Sequence, residues 1–229
     1  MNAEELLRKG LREIHVSCSE DQVQAFMTHL RELKKWNRVH NLTALKTDSD
    51  IIIRHFLDSL LYLKALPEKK IRLADAGTGA GFPGIPIKIA RPGTHVALIE
   101  PARKKAAFLR HVIRMLHMGD IIVLADRLEH LGKEHARRYH VIVTRAVFSL
   151  RDFLETACPY VVEGGRIIAG KGPNVFDELK TLEADTHLGN SVKEVRRLRL
   201  PFGQGERNLV VMECGRMPPA TAHFERCRH

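Results

Sequence analysis

The stretch LADAGTGAGFPG, Leu73 to Gly84, runs a β-type segment into a turn with glycine at Gly77, Gly79 and Gly81, then into Pro83, which can start a helix. At such a junction backbone amides and a helix N-terminus approach a ligand closely, and side chains in place of the glycines would obstruct it. Residues 79–84 also satisfy the pattern GxGxxG, which dinucleotide enzymes share and which is weak by itself. The neighbours discriminate. Asp75, two residues before Gly77, puts a carboxylate at the strand end, where it can organise the turn and attract a cationic ligand, whereas a pyrophosphate would be repelled. The Phe82-Pro83-Gly84 step after the glycines sharpens the distinction.

Outward from this loop, short β-rich runs alternate with helical ones. Strands are expected at 71–76, 95–100, 120–125, 140–145 and 165–170, with helices near 84–91, 102–117, 127–136 and 150–160 between them. Right-handed crossovers then give a doubly wound parallel sheet. A helix near 175–188 and a terminal antiparallel hairpin, 192–200 with 208–214, bring the strand count to seven. This α/β class, a Rossmann-like sheet closed by a hairpin, suits a class I methyltransferase better than a nicotinamide-binding fold of six parallel strands.

Upstream, helices are expected at 4–14 and 20–36, the second opened by Ser19 with Gln22 three residues on, as in a capping box. After the loop WNRVHNLTAL comes a third, about 50–65. The expected organisation is a helical extension over 1–66, a catalytic domain over 67–215 and a flexible tail over 216–229.

Three strand ends converge on one crevice. Asp75 and the glycines lie on the first; Glu100, ending the second, can accept both ribose hydroxyls of a nucleoside. The third ends at Asp126, followed by Arg127, Leu128 and Glu129, which would border an adenine with one apolar and several polar contacts. A cationic, adenosine-bearing ligand fits this set, and S-adenosylmethionine is the expected cofactor.

Composition narrows the partners. The 229 residues carry 37 basic and 27 acidic side chains, a net charge of +10. Residues 1–66 hold ten basic and nine acidic groups, so the excess falls on the remainder, and a polyanion such as RNA is the favoured partner. No apolar run approaches the ~20 residues that span a bilayer, and a cytoplasmic monomer without membrane contact is expected. The cysteines at 18, 158, 214 and 227 show no CxxC pairing and are expected to be reduced. The thirteen histidines include no metal-ligand spacing, so no metal is expected.

Beyond the loop, WNRVHNLTAL (36–45), RHFLDSL (54–60), DAGTGAGFPGIP (75–86), RLE (127–129), VTRA (143–146), GKG (170–172) and GER (205–207) occur in one order. In these segments, over roughly residues 20–213, the chain resembles the bacterial small-subunit ribosomal RNA N7-guanine methyltransferases, formerly called glucose-inhibited division protein B. It departs at Ala76, where a bulkier apolar residue is usual, at Asn208, where an aromatic or His is frequent, and in its tail. The resemblance implies methyl transfer from S-adenosylmethionine to guanine N7 of 16S ribosomal RNA, free or in a small-subunit assembly particle. It also implies cofactor contacts at Gly77, Phe82, Leu128, Glu129 and Arg145.

For the RNA, Arg127 and Arg207 are the expected substrate-positioning residues, as charge-assisted bidentate donors. His55, Asp58 and Ser59 on the third helix, Lys171 in GKG, and Arg196 and Arg197 on a late strand are expected contacts. A nicotinamide-dependent oxidoreductase, sharing the glycines and Glu100, and a noncatalytic RNA-binding module remain alternatives on residues alone.

Overall fold

The computed structural model describes residues 1–145, 147–185 and 188–214. Seven strands form one sheet: β1 (Arg72–Ala76), β2 (His95–Ile99), β3 (Ile121–Leu124), β4 (Tyr139–Arg145), β5 (Val161–Lys171), β6 (Val192–Arg199) and β7 (Glu206–Met212), in the order β3-β2-β1-β4-β5-β7-β6. The first five pair in parallel, while β7 runs antiparallel to both β5 and β6. The sheet with its terminal hairpin is therefore the class I methyltransferase architecture expected from the sequence.

The strands are apolar on both faces because helices cover both. Along β4, β5 and β7 the side chains alternate strictly: Val141, Val143, Ile168, Leu209 and Val211 join one core, and Ile142, Ile167, Ala169, Val210 and Met212 the other. On the first side lie α1 (Ala3–Glu13), α2 (Glu20–His40), α5 (Gly84–Ala90) and α6 (Arg103–Met115); α7 (Leu150–Ala157) and α8 (Val175–Glu183) cover the second. Leu7, Phe26 and Leu33 of α1 and α2 thus share a core with Val96 and Leu98 of the sheet.

Between α2 and β1 the chain is helical but irregular: α3 (Asp48–Ile51), a π turn (Ile52–Leu57), α4 (Asp58–Leu60) and a 3-10 turn (Leu61–Lys64) follow without a break. The Ser19–Gln22 capping box forms as expected. Helix α2 runs on through WNRVH and stops at Asn41, whose φ of 48° turns the chain left-handed. The helix expected at 127–136 is instead two 3-10 turns, Leu128–His130 and Lys133–His135, separated by extended backbone at Leu131 and Gly132. Helix α8 ends at Glu183, earlier than expected, and residues 186 and 187 fall outside the described set, as do Ala146 of VTRA and the tail from 215.

The expectation of reduced cysteines is corrected at one pair. Cys158 and Cys214 form a disulfide, their Cα atoms 5.6 Å apart, while Cys18 is free. Antiparallel pairing of β7 on β5 carries the end of one strand back to the beginning of the other, so two cysteines 56 residues apart meet. No helix among the described residues is long and apolar enough to cross a membrane.

Candidate cofactor and RNA site

At the carboxyl end of β1 the chain folds into a tight, internally bonded loop. The amides of Gly77 and Thr78 donate to the Ile99 carbonyl at 3.0 and 3.1 Å, and those of Gly81 and Phe82 to the Thr78 carbonyl at 3.0 and 2.8 Å. Gly77, Gly79 and Gly81 have φ of 68°, 62° and 94°, a region that favours glycine. A Cβ on Gly81 would collide with Ile85, whereas one on Gly79 would meet nothing within 4 Å. Gly81 is thus required by packing, and the space over Gly79 is open.

Asp75 fastens this loop from inside. Fully buried, its Oδ2 accepts from Thr78 Oγ1 at 2.5 Å and from the Gly84 amide at 2.7 Å. Burial pushes its carboxyl up to about 7, against the pull of those two donors. Its Oδ1 has no partner. Glu100 braces the outside: one oxygen accepts from the Gly79 amide and the other from Ala102, both at 2.9 Å, at 5% exposure. Each oxygen keeps a second lone pair.

The end of β3 lies beside Glu100, whose amide donates to the Leu124 carbonyl at 3.0 Å. Here Leu128 is buried, Asp126 is exposed and accepts from the Arg127 amide, and Arg127 is 65% exposed with Glu129 at 3.7 Å. The three strand ends named from the sequence therefore lie side by side at the carboxyl end of the parallel strands, with the Arg127 side chain open to solvent.

Phe82 points into the protein. Its ring stacks on His55 at 4.3 Å and on His29 at 5.2 Å, with the Arg145 guanidinium 5.3 Å from its centroid. His55 is buried and its Nε2 lies 2.8 Å from Thr43 Oγ1; burial takes both His55 and His29 down to about 3. His29 makes no hydrogen bond of good geometry, although the Ala80 backbone is close.

Asp58 is fully buried and serves as an anchor. Arg207 donates to it through Nε at 2.6 Å and Nη2 at 2.9 Å, and Arg145 through Nη1 at 3.4 Å. Arg145 also donates to the Arg54 carbonyl at 3.0 Å. Desolvation lowers the Arg207 pKa, but the Asp58 charge more than compensates and raises it above its ordinary value. Ser59 is buried too, its hydroxyl on the His55 carbonyl.

Several expected RNA contacts are thus turned inward. Asp58, Ser59 and His55 pack inside, and Lys171 donates to the Phe148 carbonyl at 2.6 Å and to both Glu178 oxygens at 2.8 and 3.0 Å. Arg196 bonds Glu194 at 2.7 Å, whereas Arg197 is exposed, with its guanidinium over Phe176. Arg207 is held bidentately, leaving Arg127 as the more open of the two expected positioning residues.

Sequence reading missed two supports of this site. Tyr62, fully buried, donates to the Thr144 carbonyl at 2.7 Å, and Gly170 of GKG is glycine because a Cβ there would collide with the Tyr62 hydroxyl. His29 carried a legible signal: with Phe26, Leu30 and Leu33 it falls on the apolar face of α2, so its burial followed from helical spacing.

With this geometry in place, the comparisons with known proteins are specific. Residues 22–210 match the family model for rRNA small subunit methyltransferase G. A ribosomal RNA small subunit methyltransferase G of Geotalea uraniireducens is 40% identical over 92% of this chain and 96% of its own length. One from Chloroflexus aggregans is 39% identical over 98% and 94%. Among solved structures, a tRNA (m1A58) methyltransferase from Aquifex aeolicus overlays with a TM-score of 0.53 at 12% identity, covering 69% of this chain and 68% of that one. A precorrin-6y C5,15-methyltransferase from Geobacter metallireducens does so with 0.53 at 8% identity, over 77% and 93%. These two establish the shared fold. The loop, the crevice and the long match over both chain lengths place the protein together: it belongs to the rRNA small subunit methyltransferase G family.

Proposed function

We propose that the protein transfers a methyl group from S-adenosylmethionine to guanine N7 of small-subunit ribosomal RNA. The carrying observation is the family match over residues 22–210, which contains the whole crevice. The residues present fit the cofactor: the space over Gly79 is open, Glu100 beside it keeps a second lone pair on each oxygen, and Asp75 Oδ1 is a buried acceptor without a partner. Gly77, Gly79, Glu100, Asp126, Leu128 and Glu129 would hold it, with Asp75, Gly81, Phe82 and Arg145 shaping the loop from behind. When bound, the sulfonium supplies an electrophilic methyl group.

Guanine N7 carries a free lone pair and no proton, so the protein need not remove one. The site agrees with that demand. Its buried carboxylate, Asp75, is committed to the loop, and its buried imidazole, His55, faces Thr43 and Phe82. What the chain contributes is alignment and electrostatics. Arg127, open at the crevice mouth, grips phosphate or orients the base, while Asp58 keeps the Arg145 and Arg207 cations in a fixed place.

Calorimetry tests the cofactor half of this reading. S-adenosylhomocysteine should bind and NAD should not; NAD binding without S-adenosylhomocysteine binding would overturn it.

A further inference from the structure

We propose that the hollow between the end of α2 and the beginning of α3 is a separate RNA subsite, which seats a nucleotide of the substrate strand other than the target guanine. This rests on the RNA methyltransferase reading above and extends it to a surface outside the crevice. The hollow encloses about 350 Å³, room for roughly one nucleotide, and Lys34, Asn37, Arg38, Asn41, Thr43 and Lys46 line it.

Its chemistry is that of a phosphate and base-edge reader. Lys34 is paired with Asp48, but the side chains of Arg38 and Lys46 are exposed and have no hydrogen bond or ion pair among the described residues. Asn37 uses its oxygen to accept from the Thr43 amide at 2.9 Å, which leaves its amino group without a partner; Asn41, exposed at the left-handed turn, has a wholly unused amide. Cations beside free amide donors and acceptors match a sugar–phosphate backbone with a base edge. The helix dipole accounts for a cation such as Arg38 in the last turn of α2. It does not account for Lys46, six residues beyond the last helical residue, His40.

The hollow is also wired to the cofactor loop. Thr43 lines it and bonds His55 at 2.8 Å, and His55 stacks on Phe82, which follows the last glycine. Two contacts therefore separate an occupant of the hollow from the loop that shapes the crevice.

The test is the double variant Arg38→Ala/Lys46→Ala, both positions being exposed. Binding of a 16S ribosomal RNA fragment is measured over a salt series, with steady-state methylation beside it. RNA affinity should fall roughly tenfold near ~0.1 M salt, and the slope of log affinity against log salt should become shallower by about 1.4, since each single-strand phosphate contact contributes about 0.7. KM for RNA should rise, with kcat and S-adenosylhomocysteine affinity held. Arg38→Lys/Lys46→Arg should restore binding. A matched control, Lys69→Ala/Lys70→Ala, removes two exposed cations just before β1, at the opposite edge of the sheet from the crevice. Unchanged affinity and slope in the first variant, or an equal loss in the control, would overturn the subsite while leaving the methyltransferase reading intact. A wild-type protein that neither binds S-adenosylhomocysteine nor methylates RNA would instead remove the reading on which the subsite rests.

Discussion

Replacing Asp58 by Asn should destabilise the fold by roughly 3 kcal/mol, through the two cations it leaves behind. Asp58 has no exposed side-chain surface, and the side chains of Arg145 and Arg207 are each 17% exposed. Removing one partner of a buried pair costs about 3–5 kcal/mol, because the remaining charge stays desolvated. Partial exposure of the arginines favours the lower end, while the second cation works against relief. At about 2–4 °C per kcal/mol for a chain of this size, Tm should fall by roughly 6–12 °C. Arg207→Ala should cost less, about 2 kcal/mol, because Arg145 remains to balance the carboxylate; Arg145→Ala should cost about 1 kcal/mol, because the bidentate pair survives. Urea denaturation followed by circular dichroism measures all three. Combining Asp58→Asn with Arg207→Ala should cost clearly less than the sum. A cost below about 1 kcal/mol for Asp58→Asn, or simple additivity in the double variant, would refute the anchor.

Three further outcomes are expected. Gly170→Ala should cost about 2–3 kcal/mol by driving a methyl group against the Tyr62 hydroxyl and the ring carbon that bears it; Tyr62→Phe should relieve only the part due to the oxygen, since that ring carbon would still sit 2.7 Å from the new methyl, and equal cost in both backgrounds would point elsewhere. The imidazole of His29 titrates at about 3 in the fold against 6.5 when unfolded, so between these values the unfolded state binds the extra proton and stability rises with pH. Its contribution is complete above about 6.5 and falls by about 1.4 kcal/mol per unit as pH drops through 6 to 4. His29→Leu should flatten the stability profile by that slope over this window, and an unaltered slope would contradict it. Arg127→Ala should collapse methylation while S-adenosylhomocysteine still binds; unchanged turnover would dismiss its role in positioning.

The fold was legible where short apolar, β-branched runs are bounded by turn residues. Strands covered on both faces, as β4, β5 and β7 are, read as such continuous runs and not as an alternation, and the glycine loop marks the edge where ligands bind. The nicotinamide and noncatalytic alternatives stayed open on the residues, Asp75 and the terminal hairpin weighing against the first, and the family match over residues 22–210 decides between them. Less legible was anything set by partners distant in sequence. That Arg207 would be clasped by Asp58, 149 residues away, depends on β7 lying near α4, which no local pattern records. Lys171 was expected to reach RNA from the end of β5, and only the docking of α8 supplies the Glu178 that holds it inside. The segment 127–136 has apolar residues at plausible helical spacing, yet extended backbone at Leu131 and Gly132 divides it into two short turns. The Cys158–Cys214 bridge required the antiparallel return of β7, a feature of topology and not of cysteine spacing.

Mass-spectrometric mapping of unmethylated 16S ribosomal RNA, incubated with the protein and S-adenosylmethionine bearing an isotopically labelled methyl group, tests the central claim most directly. One labelled N7-methylguanosine is expected in the RNA, absent when S-adenosylhomocysteine is added in excess. Label on another atom or base, or no label from a protein that binds S-adenosylhomocysteine, would contradict it.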